Sequence, residues 1–94
     1  MKYRGRMEIC GDILKVLNEK GPCTRTRVMY SAYLSYSQLK GYLAHMIQNN
    51  LVAFNENSQL YSITETGLKA LDSAQIARHT LHLDDESLQQ HFDF

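Results

Sequence analysis

The chain has no Trp, a single Pro, two Cys and no apolar run longer than a few residues. Crossing a bilayer as a helix takes about 20 consecutive apolar residues, so the short runs exclude a membrane span. The first ten residues, MKYRGRMEIC, are basic, but no apolar core follows them and they do not form a secretory signal. The location expected from this is the cytoplasm. Cys10 and Cys23 stand thirteen positions apart, a spacing that suits neither a zinc site nor a redox pair. Two reduced thiols are expected, with Cys10 acting as a small hydrophobe on a helix face. Also missing are a glycine-rich phosphate loop, an HExxH pair and a nucleophile elbow. The chain is therefore read as a non-enzyme without a cofactor, and no small-molecule ligand is inferred.

What is present is a 94-residue chain of formally zero net charge, short enough for one domain with a modest core. The neutrality conceals an asymmetry. Residues 1–50 hold eight Lys and Arg against three Asp and Glu, whereas residues 51–94 hold two against seven. A basic half beside an acidic half suggests an anionic partner for one face; mutual attraction of the halves is the alternative.

Apolar residues recur at helical spacing from Arg6 to Asn18, through Ile9, Cys10, Ile13, Leu14, Val16 and Leu17. Gly21, suited to a left-handed C′ position, and Pro22 stop that helix. Thr24 reads as the N-cap of a short second helix reaching about Ala32, with Val28, Met29 and Ala32 inward. Leu34 plugs a turn, and Ser35 caps a third helix whose stripe is Leu39, Leu43, Met46 and Ile47. Asn49 and Asn50 end it. Two β-prone runs, Leu51–Phe54 and Leu60–Ile63, flank five polar residues and predict a hairpin. Thr64 caps a fourth helix bearing Leu68 and Leu71, and residues 80–94 form an acidic tail, helical or frayed. The expected class is α+β, mainly helical: a three-helix core with a helix-turn-helix, a two-stranded hairpin as a wing, and a fourth helix. Residues 1–79 form the domain and 80–94 the tail.

That order points to DNA, because the major groove admits one α-helix. At about 100° per residue, Ser37, Gln38, Gly41, His45 and Gln48 lie opposite the Leu39–Leu43–Met46 stripe. Lys40 flanks this face, and Tyr36 projects from the first turn. Gln38 suits an adenine edge and Ser37 several bases. Ser35 and the first-turn N–H groups suit a phosphate, as do Arg25, Arg27 and Lys40. Gly41 weakens the helix yet permits close approach of a sugar-phosphate wall. The candidate DNA-binding residues are thus Arg25, Arg27, Ser35, Tyr36, Ser37, Gln38, Lys40, Gly41 and His45. Lys2, Arg4 and Arg6 read either as an arm on the phosphates or as a solvated end. The wing loop carries Glu56 and no base, which leaves it Asn55, Asn57 or Gln59 for a weak contact, or none. His79, His82 and His91 near Asp84, Asp85 and Glu86 invite a metal reading, but surface histidines are expected and no metal site is assigned.

The segments ICGDILKVL, TRTRVMYSAYLSYSQLKGYLAHMIQNNLV and YSITETGLKAL together resemble the archaeal winged helix-turn-helix DNA-binding proteins over roughly residues 6–72. The resemblance implies double-stranded DNA as partner, transcriptional regulation or chromatin-type DNA binding in a cytoplasmic, nucleoid-associated setting, and a homodimer, here expected through the fourth helix and tail. This chain departs from that pattern in having Asn50 where many relatives have Gly, and in a fourth helix without sustained heptads. A winged helix used as a protein-interaction module is the alternative function, and an RNA-binding adaptor a third.

Overall fold

Thr24 and Ser35, two of the three hydroxyl residues placed at helix starts by the sequence, cap the helices of the helix-turn-helix. In the computed structural model, which describes residues 4–73, the Thr24 side chain accepts the Arg27 N–H and the Ser35 side chain accepts that of Gln38, each at 3.2 Å. The elements are α1 (Arg6–Lys20), α2 (Arg25–Ser31), α3 (Tyr36–Gln48), β1 (Val52–Asn55) and β2 (Leu60–Ile63). A fourth helix, α4, runs from residue 65 through 73, the last described. The tail and its histidines lie outside the described residues.

Between α1 and α2 the chain turns at Gly21, whose φ of 78° is left-handed as expected. Its ψ of −163° is extended rather than helical, a region essentially restricted to glycine. The Gly21 N–H closes the helix on the Leu17 carbonyl at 3.0 Å. At the far end of α3, Asn50 takes the left-handed conformation, φ 60°, the role usually given to glycine.

The wing strands pair antiparallel, with Val52 opposite Ile63 and Asn55 opposite Leu60. Phe54 and Tyr61 stack across the ladder with ring centroids 4.6 Å apart. The first strand begins one residue later than the sequence suggests, for a clear reason. Leu51 sends its N–H to the Met46 carbonyl at 2.8 Å and receives the Thr64 N–H at 3.1 Å, so it belongs to a corner rather than to the ladder. Cys23 adds an isolated bridge to Tyr61, with reciprocal backbone bonds of 2.9 and 2.8 Å. The chain before α2 is thereby tied to the wing.

One apolar cluster joins these parts: Ile13 and Leu17 of α1, Val28 of α2, Leu39 and Met46 of α3, Val52 of β1 and Leu71 of α4 are all buried. No polar or charged side chain is buried among the described residues, so the core carries no desolvation penalty. Two expected core residues are instead exposed, Ile47 and Leu68, each at 39%. Ile47 lies about 80° around the helix from Leu39 in the last turn, at the edge of the stripe. At Leu68 the reason is its neighbour. Gly67 is the buried residue of that turn, and a Cβ there would fall 2.2 Å from the Leu51 carbonyl oxygen and 2.8 Å from Ile63. Backbone makes the close contact, and Leu68 is rotated about 100° away from it. Thr64 completes the junction, donating its hydroxyl to the Asn50 carbonyl at 2.7 Å while accepting the Gly67 N–H at 2.9 Å.

Three expectations follow from the packing. In denaturant unfolding, Leu39→Ala should cost about 2–5 kcal/mol, as for a fully buried leucine. Gly67→Ala, forced against backbone, should cost about 1–3 kcal/mol. Both cysteines are free thiols, and burial raises the Cys10 pKa above its ordinary value of 9.0. Cys10 should therefore react with a disulfide reagent at pH 8 more slowly than a free thiol, and the buried Cys23 only on unfolding.

Candidate nucleic-acid interface

The caps of α2 and α3 orient two helix N-termini, and one side-chain pair joins them. Arg25, the first residue of α2, lies with its guanidinium carbon 4.7 Å from the centre of the Tyr36 ring, the first residue of α3. This is cation–π distance. Tyr36 is 48% exposed, so the stacked pair stands on the surface beside the start of α3. Arg27, two residues on, is exposed and lines a cleft with Thr24, Tyr30 and Leu60.

Ser35 and Gln38 form a complete capping box: the Gln38 Oε1 accepts the Ser35 N–H at 3.1 Å in return. Ser37 contacts the Ser35 hydroxyl at 3.5 Å. A glutamine such as Gln38 uses both of its amide atoms on an adenine edge. In the free protein its oxygen is committed to the cap, leaving the amide N–H₂ as the outward donor. The signal was legible, because Ser-x-x-Gln is itself a capping-box spacing.

Further along α3, Lys40, Gly41 and His45 are exposed. A Cβ on Gly41 would meet nothing within 4 Å, so the glycine answers no internal crowding. The Asn49 side-chain amide donates to the His45 carbonyl at 2.8 Å and lies 3.4 Å from the ring. Gln38, Gly41 and His45 line one side of a groove of about 620 Å³, with Tyr42 and, from α1, Arg6, Met7 and Cys10. Sequence reasoning missed the contribution of Tyr42 and α1 to this face. Arg6 and Cys10 lie four apart on one side of α1, but only the packing of α1 against α3 brings them here.

Two other expectations change. Arg4 turns inward: its guanidinium meets Asp12 at 2.9 Å and donates to the Ala32 and Tyr33 carbonyls at 2.9 Å each. A cation closing the carbonyl end of α2 is electrostatically favoured there. Tyr33 takes the left-handed conformation, φ 56°, in a turn closed by the Leu34 N–H on the Met29 carbonyl at 3.0 Å. Arg4 is therefore not part of a mobile arm; Lys2 lies outside the described residues. In the wing tip, the Asn55 side chain accepts the N–H groups of Asn57 and Ser58, and Gln59 donates its amide to the Glu56 carbonyl. These groups shape the turn.

No Asp or Glu occurs between Glu19 and Glu56, the stretch that contains α2, the turn, α3 and β1, and it carries Lys20, Arg25, Arg27 and Lys40. The ion pairs among the described residues, Arg4–Asp12 and Lys69–Glu65, each stay within one half of the chain. Attraction between the halves thus consumes none of these cations among the described residues. No group of three His, Cys, Asp or Glu able to hold a metal is found among them either, and none of their helices is long and apolar enough to cross a membrane.

Known proteins share this architecture. An uncharacterised protein of Methanocaldococcus jannaschii is 30% identical over 70 residues, 74% of this chain and 69% of that one. Among solved structures, Sso10a-2, a DNA-binding protein from Sulfolobus solfataricus, superposes with a TM-score of 0.70 at 27% identity, covering 97% of this chain and 99% of its own. A MarR family protein from Bacillus stearothermophilus gives a TM-score of 0.67 at 21% identity, over 98% of this chain and 64% of its own; at that identity the likeness is one of fold. The model of the winged helix-turn-helix family matches residues 3–81. With capped α2 and α3 meeting across a tight turn and a β-hairpin behind them, this chain belongs to the winged helix-turn-helix family.

Proposed function

We propose that the protein binds double-stranded DNA, sequence-specifically, by placing α3 in the major groove, and that it regulates transcription. The observation that carries this reading is the acid-free stretch from Lys20 to Asn55, folded so that the N-terminus of α3, the Arg25–Tyr36 pair and Lys40 are exposed together. The fold shared with a DNA-binding protein of Sulfolobus solfataricus supports it. Arg25, Arg27 and Lys40 neutralise phosphates, Ser35 and the first-turn N–H groups seat one, and Ser37, Gln38 and His45 face the base edges. Gly41 is where the sugar-phosphate wall passes closest. The wing tip, acidic at Glu56 and internally bonded, adds little. On this reading the protein is cytoplasmic and nucleoid-associated. Dimerisation through the fourth helix and tail would set two half-sites about 34 Å apart.

The test is fluorescence anisotropy with a labelled duplex across a salt series. Binding should weaken linearly in log–log form, with a slope of about 0.9 per neutralised phosphate. Lys40→Glu should weaken it by about tenfold or more, the scale of a lost charge-assisted hydrogen bond of about 1.5–3 kcal/mol, with melting unchanged. A silent Lys40→Glu would instead favour a protein-interaction module. Gly41→Ala separates fold from function: it should raise stability by up to about 1 kcal/mol while lowering DNA affinity.

A further inference from the structure

We infer that Tyr36 is a positioning residue for Arg25, holding its guanidinium flat so that its N–H edge forks onto a phosphate at the mouth of the groove entered by α3. This rests on the DNA-binding reading above. The two residues are eleven apart in the chain and belong to different helices, yet the guanidinium carbon sits 4.7 Å over the ring centre. Stacking uses the face of a guanidinium and leaves its in-plane donors free. Among the described residues, neither hydrogen bond nor ion pair engages those donors. Arg4 makes the contrast: its donors are spent on Asp12, Ala32 and Tyr33.

An unheld arginine on an exposed helix start samples many rotamers and loses that freedom on binding. The ring removes part of that loss in advance. It also fixes where the charge stands, next to Ser35 and the capped start of α3. Tyr36 thus acts on DNA through Arg25, by its face rather than by its hydroxyl.

The experiment compares Tyr36→Leu, Tyr36→Phe, Arg25→Ala and the Arg25→Ala/Tyr36→Leu double variant on one labelled duplex across a salt series, with melting followed in parallel. Tyr36→Leu should weaken binding about two- to fivefold, as for an exposed cation–π contact, at an unchanged salt slope because the charge remains. Tyr36→Phe keeps the face and should stay within about twofold of wild type. Arg25→Ala should lower the slope by about 0.9, and in that background Tyr36→Leu should cost nothing further. A Tyr36→Leu loss that persists undiminished without Arg25, or a Tyr36→Phe loss equal to that of Tyr36→Leu, would overturn the inference by giving Tyr36 a DNA contact of its own. Wild-type protein that fails to bind at low salt would remove the DNA reading itself, a different result. In the free protein, the Arg25 Nε–H resonance should be shifted upfield by the ring and released by Tyr36→Leu; an unshifted resonance would overturn the pairing.

Discussion

Burial of one face of α3 is the constraint on which the rest of the molecule depends. Leu39 and Met46 are fully excluded from solvent and Leu43 nearly so, in one cluster with Ile13, Leu17, Val28 and Val52. Each fully buried large side chain contributes roughly 1.5–3 kcal/mol. With that stripe held, helical geometry leaves no choice about the opposite side: Ser37, Gln38, Gly41 and His45 must face outward. An outward face that is polar, free of acids and flanked by Lys40 and Arg25 follows from the same packing that stabilises the fold. Stability and the proposed function are thus coupled through one helix.

Around this stripe, short-range bonds set the angles at which neighbouring elements meet. The Ser35–Gln38 box fixes where α3 begins, and the left-handed Asn50 fixes where it ends. The Thr64 hydroxyl, the Leu51 carbonyl and the absent side chain of Gly67 lock α4 against the corner between α3 and the wing. Arg4 closes the other side by tying α1 to the carbonyl end of α2. Neither junction buries a charge; both use backbone groups that would otherwise lack partners. Their effect is to hold the N-terminus of α3 rigidly at the surface, which favours a geometric partner such as a groove.

Local chemistry was the legible part of this fold. Thr24, Ser35, Thr64, Gly21 and Asn50 each announce a cap or stop by residue type and position, and each performs it. The Leu39–Leu43–Met46 stripe is periodic enough to orient α3 from sequence alone. What escaped was tertiary. Arg4 reads as part of a phosphate-contacting arm or as a solvated base, because nothing local says that Ala32 and Tyr33 will present carbonyls to it. Ile47 and Leu68 look apolar and are exposed because the edge of the core, and the close backbone contact at Gly67, are decided by packing. The Arg25–Tyr36 stack joins two helices across a turn, beyond the reach of any periodicity. Gln38 is a different case: its spacing from Ser35 spells out the capping role, while its outward position also suits a base contact.

The most direct measurement of the central claim, that the outer face of α3 meets duplex DNA, is a map of backbone amide shifts in labelled protein on addition of a short duplex. On this account, shifts gather at Arg25 to Arg27 and from Ser35 to His45, while the wing tip from Glu56 to Gln59 and the α1 face bearing Lys15 and Glu19 stay in place. Shifts centred on those spared surfaces, with α3 unchanged, would contradict it.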